Sequence, residues 1–311
     1  MKVFISASTF AQLSKEPLKL LKDKRLEFKL NPFKRRLSEQ EICLFLKDDN
    51  YVGLIAGTEQ ITKKVLCNAN SLKVISRVGV GLDNIDLKTT KKFKIKIFNT
   101  PDVLTDSVAE LTMGLILCAL RRISLMDRNM KRKIWNKEMG FLLKDKILGI
   151  IGFGKIGKKV SRLAKAFGSK VIYYDLKRFK PNKSAEKVTF SNLLKNSNII
   201  SIHCSGKNRI ISNNEINKMK QGVILINTSR GTAIDENALN KGLATGRVSF
   251  AALDVFNSEP YRGRLSSLNN VILTPHVGSY AKEARIRIEI EAVNNLLKGL
   301  NLIGKRWKLK N

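Results

Sequence analysis

Residues 147–175, ILGIIGFGKIGKKVSRLAKAFGSKVIYYD, leave little freedom to the fold around them. An apolar run with strand character leads into Gly152-x-Gly154-x-x-Gly157, an amphipathic helical pattern follows, and a second β-rich run ends on Asp175. Strand, glycine turn, helix, strand and acid in that order make a βαβ unit built to approach a pyrophosphate. Gly152 permits the tight turn, Gly154 admits a phosphate close to the backbone, and Gly157 lets the helix pack on its strand. Free N–H groups and aligned peptide dipoles at the helix start then face the anion. Asp175 is placed to accept hydrogen bonds from ribose hydroxyls and to repel a 2′-phosphate, which favours NAD over NADP, although Lys177 and Arg178 follow at once.

Short β-rich runs alternate with helical patterns through most of the chain, so the expected class is α/β with two doubly wound parallel-sheet domains. In the first hundred residues the predicted strands are KVFIS, VGLIA, KVISRV and KIKIFN, with helices at EQEICLFLKD and ITKKVLCNA. A second series, KILGII, KVIYYD, NIISIH, VILINT, SFAALDV and VILTPH, supplies six strands, the number of a full dinucleotide-binding sheet. Between the two series lies NTPDVLTDSVAELTMGLILCALRRI, a long helix for which Thr105 or Asp106 serves as N-cap and Ser107 with Glu110 fits a capping box. The tail AKEARIRIEIEAVNNLLKGL is continuously helical and is expected to pack back on the first domain. The boundaries follow as 1–99 for a flavodoxin-like substrate-binding domain, 100–283 for an inserted Rossmann NAD-binding domain, and 284–311 for the returning helix, with hinges near Asn99 and Gly278.

Composition narrows the classes further. Four scattered cysteines, Cys43, Cys67, Cys118 and Cys204, form no C-x-x-C pair, so neither a disulfide framework nor a metal site is expected. MKVFISASTF reads as a first strand rather than a signal peptide, and the most apolar run stops at Arg121 and Arg122, short of the roughly 20 residues of a membrane span. A cytoplasmic protein without membrane contact is the expectation. The net charge of +32 invites a nucleic-acid reading, yet the basic residues are spread along the chain. Arg35 and Arg36, Lys63 and Lys64, Lys91 and Lys92, and the terminal KRWKLK are expected on solvated faces and ends. No basic stripe with interleaved aromatics and no DNA-binding motif appears, so specific nucleic-acid binding is not expected.

Three polar residues fall at predicted strand ends, where ligands bind in open α/β sheets: Arg230 in INTSRG, Glu259 in ALDVFNSEP and His276 in VILTPH. Singly, each fits a surface cation, a solvated acid and a satisfied imidazole. Together they make a complete set for hydride transfer between a 2-hydroxy acid and a nicotinamide. The imidazole takes the hydroxyl proton, the carboxylate orients and charges it, and the guanidinium holds the substrate oxygens. In VISRVGVGLDNIDL, Gly79 and Gly81 flank Val80 just after a strand, a turn able to point successive amides at an anion.

With these motifs in order, SRVGVGLDNIDL, GFGKIG followed by Asp175, NTSRG, ALDVFNSEP and TPHVGSYAKEAR, the chain resembles the D-isomer specific 2-hydroxyacid dehydrogenases of the phosphoglycerate dehydrogenase type from about Gly53 to Leu297. The resemblance implies His276 as general acid and base, Glu259 as its partner, and Arg230 as the group that binds and polarises substrate. It implies substrate contacts from Val80 and Gly81, pyrophosphate contacts from Lys155 and Ile156, a nicotinamide side formed by Thr105, Thr228 and Asp254, and a further cofactor contact from Gly278. It also implies a homodimer through the nucleotide domain, a small anionic 2-hydroxy or 2-oxo acid as substrate, and an active site in a cleft that closes between domains. Phosphoglycerate-specific members often carry arginine where this chain has IAGTEQIT, and Glu59 is expected there to repel a phosphate. Oxidation of 3-phosphoglycerate is the first activity expected, with reduction of glyoxylate or hydroxypyruvate, or NAD sensing as in the corepressors built on this scaffold, as alternatives. HCSG at residues 203–206 lacks the proline that commonly follows such a histidine, a change on the adenine side.

Overall fold

The computed structural model describes residues 1–48, 50–180, 183–206 and 208–303. The chain divides into two compact units, Met1–Leu104 together with the chain from Ser279 onward, and Thr105–Gly278. The basic end KRWKLK lies outside the described residues, whereas Arg35, Arg36, Lys63, Lys64, Lys91 and Lys92 are all exposed.

In the first unit the described residues form a parallel five-stranded sheet from β1 (Lys2–Ile5), β2 (Glu27–Leu30), β3 (Tyr51–Ala56), β4 (Val74–Arg77) and β5 (Lys96–Phe98). Their order is β2-β1-β3-β4-β5, that of a flavodoxin-like sheet. The sequence reading missed β2: EFKL is a largely exposed edge strand and lacks the apolar run that marks a buried one. Phe4, Leu54 and Ile75 face helices on one side in a core with Ile42, Val65 and Leu66. The helix Lys282–Gly299 covers the other side. Two glycines let it lie close, since a Cβ on Gly53 would stand 2.7 Å from Leu296 Cδ1 and one on Gly299 2.6 Å from Val74 Cγ1. The buried Ser76 hydroxyl donates to the Ala292 carbonyl at 2.7 Å.

In the second unit the described strands are β6 (Ile147–Ile151), β7 (Lys170–Tyr174), β8 (Glu186–Lys187), β9 (Ile199–Ile202), β10 (Val223–Asn227), β11 (Val248–Leu253) and β12 (Val271–Leu273). They form one parallel sheet in the order β12-β11-β10-β9-β6-β7-β8. Counted from β6, this is the Rossmann order extended by one strand. The six predicted strands are present; β8 is a two-residue addition at the edge, too short to register as a pattern. β9 and β10 are buried along their whole length because helices cover both faces, which is why they read as unbroken apolar runs.

The long helix spans Leu104–Leu120. It starts one residue before Thr105, so the predicted capping box is not formed. Ser107 sits inside the first two turns, and its hydroxyl donates to the Gly278 carbonyl at 2.6 Å instead. Ala109, Met113, Ile116 and Ala119 pack this helix into the core of the sheet. Among the described residues no helix is long and apolar enough to cross a membrane.

Candidate active site

β10, β11 and β12 run side by side in register, with Asn227 opposite Leu253 and Leu253 opposite Leu273. The three segments that follow them, carrying Arg230, Glu259 and His276, therefore leave the sheet at the same edge. Asn227 shapes the first: its side-chain oxygen accepts from the Ser229 amide at 3.0 Å, and its amide nitrogen donates to the Arg230 carbonyl at 2.9 Å. The next residue has to be glycine, because a Cβ on Gly231 would lie 1.9 Å from the Phe256 carbonyl carbon. The Arg230 loop thus rests on the backbone of the Glu259 loop. The Phe256 amide donates to Glu259 Oε1 at 3.1 Å, and Glu259 Oε2 lies 2.9 Å from Nδ1 of His276. An ionised carboxylate only accepts, so Nδ1 carries a proton, and in the neutral ring the lone pair belongs to Nε2. The Arg230 guanidinium donates to the Ser229 carbonyl at 2.7 Å.

His276 adopts φ +56°, a left-handed conformation that costs a residue with a side chain of order 1 kcal/mol. The loop is kept there by Asp254, which is 1% exposed. Its Oδ1 accepts from the Thr274 hydroxyl at 2.6 Å and the Val277 amide at 2.8 Å, and its Oδ2 from the Gly278 amide at 2.9 Å. Asp254 therefore fastens the backbone on both sides of His276, a role that its place on the predicted nicotinamide side did not reveal. The His276 side chain itself is 51% exposed and available to a ligand.

The glycines of the phosphate loop divide by what surrounds them. Gly152 has φ +93° and no room for a side chain, since a Cβ would stand 2.7 Å from the Cys204 amide nitrogen. A Cβ on Gly157 would lie 2.3 Å from the Gly152 carbonyl oxygen. Gly154, the N-cap of the helix Lys155–Ala166, is different: a Cβ there meets nothing within 4 Å. That open space in front of a helix N-terminus is the room a pyrophosphate takes. Lys155 and Ile156 form the first turn. Asp175 follows β7, and its carboxylate accepts from the Phe153 amide at 2.7 Å and the Lys177 amide at 2.8 Å, which fixes it beside the glycine loop. The residues present fit a dinucleotide with free ribose hydroxyls.

Thr105 lies in the first turn of the long helix, and the buried Thr228 hydroxyl pairs with Thr112 at 2.9 Å. Thr112 and Asn227 escaped the sequence reading as functional residues. Asn227 had a signal, an asparagine two residues before Ser229 in NTSRG that suits an Asx turn, whereas Thr112 looked like one more helix residue. His203 is a different kind of histidine. Its Nε2 is 2.8 Å from the Ser201 hydroxyl, its Nδ1 is enclosed, and burial pushes its imidazole down to about 3. Burial also raises the neighbouring Cys204 thiol.

In the first unit, taken by itself, the turn after β4 is tied to the residues after β5. Gly79 donates to the Thr100 hydroxyl at 2.9 Å, and Asn99 donates to the Val80 carbonyl at 2.7 Å. Among the described residues, the amides of Val80 and Gly81 donate to no protein acceptor. Glu59 departs from the expectation that it repels a phosphate. It is 1% exposed, and its Oε1 accepts from the Gly57 amide at 2.8 Å and from the Ser6 hydroxyl. Its carboxylate is engaged inside the unit, by the backbone of its own loop and by the residue that follows β1.

Comparison with known proteins bears on the family and the fold. The model of the family described as D-isomer specific 2-hydroxyacid dehydrogenase, NAD binding domain, matches residues 113–278. The chain is 38% identical over 299 residues to the hydroxypyruvate reductase of Thermotoga maritima, covering 93% of this chain and 96% of that protein. It is 39% identical over 278 residues to the D-3-phosphoglycerate dehydrogenase of Methanocaldococcus jannaschii, covering 85% of this chain and 52% of that one. The crystal structure of the TT0316 protein from Thermus thermophilus superposes with a TM-score of 0.88 at 31% identity, covering 97% of both chains.

Proposed function

Because the chain belongs to the D-isomer specific 2-hydroxyacid dehydrogenase family, NAD-dependent oxidoreductases acting on CH–OH groups, we propose that it interconverts a small D-2-hydroxy acid and its 2-oxo acid, with hydroxypyruvate as the first substrate to test. The observation that carries this reading is the His276–Glu259 pair at a strand-end edge of a dinucleotide-binding sheet, 2.9 Å from Nδ1 to Oε2. NAD, when bound, supplies the hydride donor or acceptor. His276 Nε2 takes the hydroxyl proton in oxidation and returns it to the carbonyl oxygen in reduction. Glu259 fixes the ring through Nδ1–H and stabilises the imidazolium that forms. Arg230 binds the substrate carboxylate and polarises the carbonyl, a planar fork matched to planar oxygens. Thr105, Thr228 and Gly278 border the nicotinamide half, and Lys155 and Ile156 the pyrophosphate. In the other unit, Val80 and Gly81 offer their uncommitted amides to an anionic substrate.

Hydroxypyruvate stands ahead of 3-phosphoglycerate because Ala56, Gly57 and Thr58 bring no cation to the loop after β3. The phosphorylated substrate is the second reading, favoured by the inward turn of Glu59, whose carboxylate is engaged by Gly57 and Ser6 rather than presented to a ligand. Following NADH with hydroxypyruvate, glyoxylate, 3-phosphohydroxypyruvate and the corresponding hydroxy acids decides between them. Turnover on none of these sinks the enzymatic reading. If His276 is the proton carrier, His276→Asn keeps NADH binding within about twofold and lowers kcat by at least about a hundredfold.

A homodimer is part of the same reading. Met130, Ile134, Trp135, Met139 and Leu142 expose apolar surface within a short span, with Trp135 79% and Met139 89% accessible. Such a patch marks a protein interface. Sedimentation at micromolar concentration is expected to give a dimer, and the double variant Trp135→Ser, Met139→Ser a monomer.

A further inference from the structure

In a sheet of order 2-1-3-4-5 the strand order reverses between the first and third strands, and ligands bind outside the carboxyl ends at that point. Here those ends are Ile5 on β1 and Ala56 on β3. The segment leaving β1, residues 6–11, carries no helix or strand, yet three hydrogen-bonded anchors fix it, the first and last of them buried. At its start the Ser6 hydroxyl donates to Glu59. In its middle the Thr9 hydroxyl accepts from Arg285 at 2.8 Å. At its end the Ala11 amide donates to Glu289 Oε2 at 2.8 Å, and Glu289 Oε1 accepts from Arg285 at 3.0 Å. Ala11 has φ +58° and is buried, a conformation that alanine adopts only when its surroundings enforce it.

Burying two carboxylates is costly, and each gives part of its accepting capacity to this one short segment: Glu59 to the Ser6 hydroxyl beside the Gly57 amide, Glu289 to the Ala11 amide beside Arg285. A loop needing only to connect β1 to the next helix would run on the surface with its polar groups in water. The residues between the anchors, Ala7 and Ser8, are thereby held in one conformation beside the switch point. Ser8 is half-buried, and its hydroxyl has no protein partner among the described residues.

We propose that Glu59 and Glu289 are positioning residues for substrate binding by the first unit: between them they fix residues 6–11 as a preformed surface outside the carboxyl ends of β1 and β3, against which a small 2-oxo acid rests. The inference depends on the dehydrogenase reading above and names the part of the first unit that selects substrate. Neither residue touches the reacting atoms. Their effect belongs in KM and in the affinity of non-reacting analogues, since a preformed loop spares the ordering cost of binding.

The test uses the whole protein and two measurements. One is steady-state kinetics with hydroxypyruvate; the other is calorimetric binding of oxalate, a non-reducible mimic, to the NADH-loaded protein. Glu289→Ala is expected to raise KM and the oxalate Kd by about tenfold, the loss of one charged hydrogen bond, with kcat and NADH affinity within about twofold. Glu289→Gln, which keeps an acceptor for the Ala11 amide, restores most of both. Glu59→Gln, which keeps an acceptor for the Gly57 amide, is likewise nearly silent where Glu59→Ala is not. Hydrogen exchange at the Ala11 amide guards against misfolding. Faster exchange confined to residues 6–12, with KM and oxalate affinity unchanged, overturns the proposal. If hydroxypyruvate is not turned over by the wild type, the dehydrogenase reading has failed on that substrate, while the oxalate Kd of the alanine variants still decides the positioning role.

Discussion

The carboxylate of Glu259 receives the Phe256 amide on one oxygen and stands 2.9 Å from His276 Nδ1 on the other. One oxygen is thus anchored to its own loop and the other aims at the imidazole, so the ring is oriented by a group that is itself oriented.

Glu259→Gln loses the charge and keeps one accepting oxygen, which can serve either Nδ1–H or the Phe256 amide but not both. The expected result is a fall in kcat of about ten- to a thousandfold in both directions, because the imidazolium formed in the proton transfer loses its counter-charge. NADH affinity stays within error of wild type. Stopped-flow turnover and fluorescence titration check this, and an unaltered kcat refutes the electrostatic role.

The two inner glycines of the phosphate loop are expected to fail differently. Gly157→Ala puts a methyl 2.3 Å from the Gly152 carbonyl oxygen, so the helix must move off its strand, at a cost of about 1–3 kcal/mol in stability. Gly154→Ala meets no protein atom within 4 Å and has φ −73°, which alanine accepts. Its stability should be unchanged, while its methyl occupies the space of the pyrophosphate and weakens NADH by at least about tenfold. Denaturant melts and NADH titrations on the two variants separate fold from cofactor; equal behaviour in both contradicts the assignment.

His203 makes stability depend on pH. Burial lowers its folded value from 6.5 to about 3, so between those limits the unfolded chain binds a proton that the folded chain refuses. The folded state is fully favoured above pH 6.5 and loses up to about 1.4 kcal/mol per unit as the pH falls towards 3. Urea melts across that window should show a steeper decline for wild type than for His203→Gln. Parallel curves exclude His203 as the cause.

Much of the fold was legible in the sequence because buried parallel strands are unbroken apolar runs and the glycine loop fixes its neighbours. The strands that escaped are β2, exposed at an edge, and β8, two residues long. The misplaced capping box has the same origin. Ser107 and Glu110 have the right spacing, but the hydroxyl found a better acceptor in Gly278, 171 residues away. Glu59 was misjudged because a sequence does not tell a solvated acid from a buried one.

By itself the sequence determined the α/β class, the dinucleotide loop from Gly152 to Asp175, and the identity of Arg230, Glu259 and His276 as candidates, since these rest on residue types at fixed spacing within single elements. Only the tertiary structure decided how Glu259 reaches His276, with one oxygen held by the Phe256 amide, that Asp254 locks the left-handed turn at His276, and that Glu59 and Glu289 face inward onto the loop after β1. Those are contacts between residues far apart in the chain, and they depend on strand order, register and burial, none of which local spacing encodes.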